Sequence, residues 1–575
     1  MTGELLQFHL PCTFSEHRAC QIVAHLSVWN EVLFHARLQL REREGPHGHQ
    51  LSLVSFNQPQ MLEPRNDDWL HRATTLACWL LKTHRCIAVV DLCAASVDAC
   101  EALVYNTRWD HSFIKILKLN IDKFRNQRDL GEAISTMVHL EELECTGHAG
   151  VSASVLAALR TLVASTSSLS TLFVHGRPHE WQSLHQLLSA IEANATLRQL
   201  SLRGAEAYPR AYTDFPSANH SLSTLIVGAQ GQGSSAGLMN LLHGLLKNRT
   251  ITEARLEFFA INSQCGELIL KVAANNQVLR SFEVKAYGSK VEPQPDAVCD
   301  RWLVEVSKNE TLEQLFLPSG IFPSEQWEAL FVLLSTSSVL KMVTIQITGS
   351  AFLSQVCKAL TESGAHEKVR FYPCASPENA DVLRCQAVSM VEAAGGIYRL
   401  TTVVPVLASC THITSVRLLL ERNDLNDDLS SAIAAYICGS TTLRQLHVTS
   451  YESRSNTAWG VVIDSLLKNR SIRELALDAS SMCLEDVKCL ADAVKSSSTI
   501  STVSFKTRWL RRLEAFLHAL AADIGANYKL LCVAVNGPLQ GAVVKDWFNI
   551  WDTTRRNSGL VARAARFVSG APCGR

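Results

Sequence analysis

The run Gly233-Ser234-Ser235-Ala236-Gly237 fits the G-x-S-x-G turn in which serine hydrolases hold their nucleophile. Such a serine needs a histidine and an acid to activate it, and the sequence identifies neither partner for Ser235. Glycine and serine are also the residues that a tight turn between a strand and a helix requires. We therefore interpret the run as a structural turn and predict no catalytic residue. A hydrolase that uses Ser235 is the alternative from another class of function.

Two further patterns bear on metal binding. His179-Glu180 is followed by His185, but histidines six residues apart do not share the helical face that an H-E-x-x-H zinc site needs. The 18 cysteines include no C-x-x-C pair. Several occupy small apolar repeat positions, as at Cys86, Cys145 and Cys410. A reduced thiol behaves there as a compact apolar group, so the sequence predicts no metal site and no cofactor.

Five asparagines fit the N-x-[ST] acceptor pattern of N-glycosylation, namely Asn194, Asn219, Asn248, Asn309 and Asn469. All five fall at one position of a repeated segment. An asparagine there suits the turn into a strand, because its side chain can hydrogen-bond the local backbone. We therefore interpret the five as repeat positions rather than as marks of a secreted protein.

The repeated segment supplies the elements that must position any functional side chain. NATLRQLSL from Asn194 and NRSIRELAL from Asn469 share the form N-x-[TS]-L-x-x-L-x-L, with Ile accepted for Leu. Looser copies extend the pattern to about sixteen units, most of them spaced about 25 to 30 residues apart. The L-x-L part predicts a short strand whose alternate side chains face opposite ways. Apolar residues at helical spacing follow, as in LMNLLHGLLKN from Leu238.

Stacked units of one strand and one helix predict an α/β leucine-rich-repeat solenoid, or horseshoe, with parallel strands on the concave face and helices on the convex face. Over roughly residues 70 to 536, the pattern resembles the ribonuclease-inhibitor type of leucine-rich repeat. That type also forms the sensor part of the nucleotide-binding leucine-rich-repeat (NLR) immune receptors. The resemblance implies a recognition scaffold. The sequence contains no G-x-x-x-x-G-K-[ST] loop, so no nucleotide partner is expected.

The repeats divide the chain into five parts. Residues 1–66 are predicted to form an amino-terminal cap, 67–372 and 412–536 leucine-rich repeats, 373–411 an irregular insertion or hinge, and 537–575 a carboxy-terminal capping helix. In that helix the expected apolar face is Leu560, Val561, Phe567 and Val568, and the expected outer face is Arg555, Arg556, Arg563 and Arg566. The arginines could instead form a phosphate-binding or membrane-surface stripe, but a cap is favoured because an uncapped solenoid exposes its core.

Composition limits the partners. Lysine plus arginine and aspartate plus glutamate number 54 each, so no net basic charge attracts nucleic acid or anionic lipid. The amino terminus carries Glu4 where a secretory signal needs positive charge. No stretch reaches the roughly 20 apolar residues of a membrane helix. We expect a cytoplasmic protein with a protein partner, and without nucleic-acid, membrane or nucleotide partners.

The expected working surface is the strand face that the core does not use. Side chains beside the second and third apolar positions of the units give ten candidate partner-binding residues: Phe173, His175, Arg203, Arg255, Glu257, Phe316, Arg370, Tyr372, Arg417 and His447. The set is rich in aromatic residues and arginine, which interfaces favour. We predict a non-enzymatic interaction scaffold with NLR-like recognition in innate immunity or signalling. The alternative is a substrate adaptor of a ubiquitin ligase, for which residues 12–45 offer helices but no L-P-x-E-I-L-like start.

Overall fold

Strands and helices alternate along most of the chain. The computed structural model describes residues 11–15, 20–45, 48–56, 67–106, 113–178, 180–204, 209–212, 215–323, 325–347, 353–372, 374–375, 380–395, 397–420, 425–450, 458–536 and 543–568. Within these ranges each unit contributes one short strand to a sheet, and in most units the following helix carries the chain back before the next strand.

The described strands form two sheets, and in each sheet their spatial order follows the sequence. The first sheet contains β1 (Leu38–Gly45), β2 (Gly48–Ser55), β3 (Ile87–Asp91), β4 (Ile116–Asn120), β5 (Glu142–Thr146), β6 (Thr171–His175), β7 (Gln199–Arg203), β8 (Thr224–Gly233), β9 (Glu253–Ile261), β10 (Ser281–Val291), β11 (Gln314–Pro318), β12 (Met342–Gln346) and β13 (Val369–Tyr372). The second contains β14 (Cys374–Ala375), β15 (Met390–Gly395), β16 (Ser415–Leu420), β17 (Gln445–Ser450), β18 (Glu474–Asp478), β19 (Thr502–Lys506) and β20 (Cys532–Asn536).

The described α-helices line the outer side of the sheets and close the two ends. They are α1 (Leu26–Leu33), α2 (Asp67–Thr83), α3 (Val97–Asn106), α4 (Gln127–Ser135), α5 (Ala153–Ser165), α6 (Trp181–Ala193), α7 (Ser235–Lys247), α8 (Ser263–Asn275), α9 (Asp296–Val306), α10 (Gln326–Thr336), α11 (Leu353–Ser363), α12 (Ala380–Arg384), α13 (Ile397–Ala408), α14 (Asp427–Gly439), α15 (Trp459–Lys468), α16 (Leu484–Ser496), α17 (Leu510–Ala521) and α18 (Val543–Val568).

The register of the sheet follows the apolar pattern of the repeats. Apart from the antiparallel hairpin of β1 and β2, neighbouring strands pair in parallel. Leu143, Leu172, Leu200 and Leu225 stand opposite one another in four consecutive strands, and all four are fully buried. Residues between these positions point to the other face of the sheet, as strand geometry requires. The predicted α/β leucine-rich-repeat solenoid is confirmed, with its core between the sheet and the helices.

The asparagine before each of several strands binds two successive units together. The Oδ1 atom of Asn248 accepts hydrogen bonds from the backbone nitrogens of Thr250 at 2.9 Å and Ile251 at 2.8 Å. Its Nδ2 atom donates to the carbonyls of Pro216 at 2.9 Å and Asn219 at 3.1 Å in the preceding unit. The other asparagines of the N-x-[ST] pattern make equivalent bonds, namely Asn194, Asn219, Asn309 and Asn469. Their interpretation as repeat positions is confirmed.

A strand lies inside the segment predicted to be an irregular insertion. β15 pairs in parallel with β16 over six residues, so residues 373–411 contribute a full strand to the second sheet. Its sequence, MVEAAG, lacks the L-x-L pattern and contains alanine and glycine, which are poor strand formers. The register of the stack therefore determines this strand more than its own composition does.

The two ends of the solenoid meet, so the predicted horseshoe is closed into a ring. The ring of Trp551 in α18 lies 4.5 Å from that of Phe56, which follows β2, and 5.8 Å from that of Phe34. Beside this apolar contact, the hydroxyl of Ser27 in α1 donates a 2.7 Å hydrogen bond to Asp552. Residues more than 500 positions apart in the chain thus form one packed seam.

On its other side, α18 packs against the last strand, β20, in which Val533 and Val535 are partly buried. The Nδ2 atom of Asn557 donates to the carbonyl of Leu530 at 2.8 Å, just before β20. The buried apolar residues of the helix are Trp547, Ile550 and Trp551. Leu560, Val561 and Val568, predicted to form the apolar face, are exposed instead, and the side chains of Arg566 and Phe567 lie outside the described residues. Among the described residues, no helix combines the length and apolarity that crossing a membrane requires.

Candidate interaction surface on the concave sheet face

The ten predicted residues all lie on the sheet face turned away from the helices, in two columns that run across the strands. Along each strand they alternate with buried core residues. The strand register places Phe173, Arg255, Phe316 and Arg370 in one column of the first sheet, and His175, Arg203, Glu257 and Tyr372 in the next. Arg417 and His447 are neighbours in the second sheet. Columns of this kind let residues distant in sequence contact one partner.

Five charged residues of the first sheet form a connected network, here called the charge ladder: Arg203, Arg255, Glu257, Glu283 and Lys285. Glu257, which is 6% exposed, accepts from the guanidinium of Arg203 at 2.9 Å and from the ammonium of Lys285 at 3.1 Å. Lys285 also pairs with Glu283, and the Nε atom of Arg255 lies 3.5 Å from Glu283. Burial opposes the charge of Lys285, but its bonds to Glu283 and Glu257 outweigh burial and raise its pKa.

A glycine makes the ladder possible. Gly228 lies between Arg203 and Glu257 in the register, so the arginine must cross β8 to reach the acid. A Cβ atom at Gly228 would lie 3.2 Å from Cγ of Arg203 and 3.5 Å from Oε2 of Glu257. Any larger side chain would therefore occupy the path of the arginine. The missing side chain here is what lets an ion pair span three strands.

Two aromatic rings extend the ladder toward β13. The Nζ atom of Lys285 lies 5.4 Å from the ring centre of Phe316 and 5.7 Å from that of Tyr372, within the range of cation–π attraction. The two rings contact each other edge to face at 5.9 Å. Tyr372 is nevertheless 43% exposed. The arrangement holds a large aromatic surface in a fixed position on the concave face.

His175 and Phe173 border the ladder on the opposite side. The Nε2 atom of His175 lies 3.0 Å from the hydroxyl of Ser201, and its ring contacts that of Phe173 edge to face at 6.1 Å. Burial, and then the positive charge of Arg203, lower the pKa of His175 below its ordinary value of 6.5. The imidazole is therefore mainly neutral at pH 7 and can take part in hydrogen bonds to uncharged groups.

The other three predicted residues are not part of this group. Arg370 is exposed and donates to the carbonyl of Val369 at 3.2 Å. Arg417 pairs with Glu392 at 3.4 Å, and together with His447 it borders a groove of about 430 Å³ on the second sheet. Burial, and then Arg417, lower the pKa of His447. The groove also contacts Glu474, Asp478 and Lys506, so it forms a second polar region of the concave face.

Sequence reasoning missed Glu283 and Lys285, although both belong to the centre of the ladder. Both occupy the same two columns as the predicted Arg255 and Glu257, one strand farther along the sheet. The sequence does contain a pattern that indicates these ion pairs. When SFEVK of β10 is aligned with EARLE of β9, residues of opposite charge stand side by side on neighbouring strands. The same signal marks Lys118, which pairs with Glu144 at 2.9 Å and Glu142 at 3.2 Å.

The remaining sequence motifs have structural roles. Ser234 caps α7, its hydroxyl accepting from the backbone nitrogen of Ala236 at 3.2 Å, and Ser235 begins the helix. Among the described residues, no histidine or acid is hydrogen-bonded to the hydroxyl of Ser235. His185 lies on α6, where Nδ1 is 3.4 Å from the carbonyl of Ala211, and His179 lies outside the described residues. The Gly-Ser turn is thus a helix cap.

Four potential metal ligands that lie far apart in the sequence form one group in the structure. Cys12, Cys20, His84 and Cys86 come together in the amino-terminal region, with all four potential ligand atoms within 4.8 Å of one another. The gap of 64 residues between Cys20 and His84 conceals the group from any short motif. Only the packing of the terminal segment on the first repeat brings them together.

No family model and no curated protein matches the chain. Among solved structures it is similar to the Rad7–Elc1 complex of yeast, at 12% identity and a TM-score of 0.29, over 71% of this chain and 82% of that chain. It is also similar to the leucine-rich repeat-containing protein LegL7 from Legionella pneumophila, at 11% identity and a TM-score of 0.26, over 47% of this chain and 91% of that chain. A third similar structure is the TLR13–ssRNA13 complex, at 10% identity and a TM-score of 0.29, over 87% of this chain and 68% of that chain. The repeat and the parallel register described above define the chain as a leucine-rich-repeat solenoid.

Proposed function

We propose that this chain is a non-enzymatic scaffold that binds a protein partner on the concave face of the first sheet. The observation that carries the proposal is the continuous patch formed by the charge ladder with Phe316 and Tyr372. Interface hot spots are rich in tyrosine and arginine held by well-packed neighbours, and this patch holds both. Such prepositioned side chains lose little conformational entropy when a partner binds.

The exposure of the charges indicates the chemistry of the partner. The two acids of the ladder and Lys285 are largely buried, whereas the side chains of Arg203 and Arg255 are 47% and 46% exposed. The patch therefore presents guanidinium groups on β7 and β9 and an exposed tyrosine ring on β13. A protein segment that carries both a carboxylate and, farther along, an apolar side chain is the complementary ligand, because arginine binds carboxylates in a bidentate manner.

The finer assignment is NLR-like recognition in the cytoplasm. The resemblance of the repeats to the ribonuclease-inhibitor type supports NLR-like recognition. The cytoplasmic location stays a prediction. Four of the five N-x-[ST] asparagines are 1% to 6% exposed and hydrogen-bonded between units, so these asparagines do not favour a secreted chain.

The test is partner capture from native cytosol followed by affinity measurement with the captured protein. Replacing both Phe316 and Tyr372 by Ala should weaken binding by about 2 kcal/mol or more, roughly thirtyfold, as truncation of hot-spot aromatics does. Arg255→Glu should weaken it further and reduce its salt dependence.

Two matched controls lie away from the patch. Ser235→Ala at the α7 turn and Lys247→Ala on the helix side should bind like the unmodified chain. If these controls abolish binding while the Phe316/Tyr372 variant retains it, the concave patch is not the binding site.

A further inference from the structure

A compact group of sulfur and nitrogen atoms lies in the amino-terminal region, away from the concave patch. Sγ of Cys20 is 3.5 Å, and Sγ of Cys86 is 4.0 Å, from Nδ1 of His84. Cys12 completes the group, and all four ligand atoms lie within 4.8 Å of one another. Cys20, His84 and Cys86 are at most 2% exposed, and Cys12 is half-buried. The group is thus almost closed to solvent.

Regular backbone structure fixes three of the four positions. Cys20 precedes a 3₁₀ helix, Gln21–His25. His84 follows α2, and its backbone nitrogen donates to the carbonyl of Leu80 at 2.9 Å. Cys86 directly precedes β3, and its carbonyl accepts from Leu51 of β2 at 2.8 Å. The packing of two separate parts of the chain therefore brings these three side chains together.

The distances fit a tetrahedral metal site. Bonds of about 2.3 Å to sulfur and about 2.1 Å to nitrogen place tetrahedral ligands roughly 3.6 to 3.8 Å apart. The two S···N distances, 3.5 and 4.0 Å, lie on either side of that spacing. Three thiols and one imidazole are the Cys₃His set that Zn²⁺ takes in structural sites, and soft thiolates disfavour Mg²⁺ and Ca²⁺.

An apolar role explains this group poorly. His84 is 2% exposed, and among the described residues its Nε2 atom has no hydrogen-bond partner. Burying a polar imidazole in this way costs free energy that an alanine or leucine would not cost. Coordination of a metal by Nδ1 would compensate that cost, and the imidazole also packs edge to face against the ring of Trp79, with the two ring centres 5.0 Å apart.

We propose that Cys12, Cys20, His84 and Cys86 bind one structural Zn²⁺ ion. Three thiols lose their protons to solvent as the ion binds, and the neutral imidazole supplies the fourth ligand. Four protein ligands leave no open position, so the site is structural and not catalytic. The ion joins Cys12 and Cys20 to His84 and Cys86 at the beginning of the first repeat, a function independent of the proposed concave interface.

The proposed site also supports the ring seam. Trp29 of α1 stacks on Trp79 of α2 at 6.1 Å, and α1 carries Ser27, which binds Asp552 of α18. A metal that fixes Cys20 against His84 therefore fixes the surface on which α18 closes. Removal of the ion should loosen the amino-terminal region and the seam together.

The experiment measures metal in the full chain, purified from zinc-supplemented cells and, separately, reloaded with Zn²⁺ after chelation. About one Zn²⁺ per chain is expected by mass spectrometry of the metal. The double variant Cys20→Ser/Cys86→Ser should retain less than about a tenth of this amount. The matched control is Cys100→Ser, a buried thiol of α3 outside the group, which should keep the full amount.

Co²⁺ binding to the unmodified chain keeps the proposal testable even if the double variant fails to fold. Tetrahedral Co²⁺ with thiolate ligands gives strong visible bands and a thiolate charge-transfer band, both of which Zn²⁺ should displace. Absence of zinc and of these bands in the unmodified chain would overturn the proposal. So would full zinc retention by a folded double variant, or a disulfide between two of the three cysteines in the native protein.

Discussion

At the scale of the residue, Glu257 is the critical group of the concave face. It is a buried acid held by two cations from two other strands. The sequence predicted both Glu257 and Arg203 as surface candidates, since each flanks an apolar position of its repeat. Their pairing was not predictable, because it depends on Gly228 leaving a gap in the strand between them. The ion pair of Arg203 with Glu257 crosses β8, and only the folded structure reveals it.

Glu257→Gln should therefore destabilise the protein. The substitution keeps the shape but removes the charge that Lys285 and Arg203 share, leaving a largely buried lysine with Glu283 alone. We expect the free energy of unfolding to fall by roughly 1–3 kcal/mol, measured by urea titration followed by circular dichroism. Glu253→Gln, at an exposed position of the same strand, is the control and should change it little. Equal stability of the two variants would contradict the assigned role of the ladder.

At the scale of the element, the sequence predicted the repeat strands well and the irregular parts poorly. N-x-[TS]-L-x-x-L-x-L encodes a turn, a core position and a strand together, so each copy identifies its own unit. β15 has no such code, and the neighbouring strand β16 determines its pairing. In α18 the helix was predicted but its packed face was not, because Trp547, Ile550 and Trp551 contact surfaces that local periodicity does not reveal.

Asn248→Ala tests the bonds between units. The change removes one hydrogen bond from each of two backbone nitrogens and two carbonyls around Asn248, a side chain that is itself 1% exposed. We expect a loss of roughly 2–4 kcal/mol, since each unsatisfied buried group has a cost. Hydrogen exchange at the amides of Thr250 and Ile251 should accelerate. Arg249→Ala, at the exposed neighbouring position, should leave both quantities unchanged; if it matches Asn248→Ala, the bonds between units are not what stabilises this turn.

At the scale of the whole molecule, the helix that was predicted to cap the last repeat also packs against the amino-terminal region and so joins the two ends of the solenoid. A capping helix could be predicted from the need to cover the last repeat. Closure of the ring could not be predicted, because it depends on a small rotation per repeat that accumulates over the twenty described strands. The seam combines apolar packing of Trp551 with polar contacts such as that of Arg563 with Glu42, at 3.8 Å. This pair is long and its arginine is half-exposed, so its contribution is small and the aromatic contact should dominate.

Trp551→Ala should open the ring. Loss of a buried tryptophan costs about 3–5 kcal/mol locally, which exceeds what the remaining polar contacts supply. We expect a larger radius of gyration in small-angle scattering and faster hydrogen exchange in β1. Trp181→Ala is the control, because Trp181 is 41% exposed on α6, far from the seam in the sequence. An unchanged radius for Trp551→Ala would show that closure does not depend on this contact.

A closed ring has a lumen, and its size limits what can reach the concave patch. Twenty described strands spaced about 4.8 Å apart enclose a passage on the order of 30 Å between backbones, before side chains narrow it. A loop, a chain end or a single helix can enter along the axis, whereas a folded domain must wait for the seam to part. The association rate for a domain would then report the opening rate of the ring, while that for a short peptide would approach the usual docking rate.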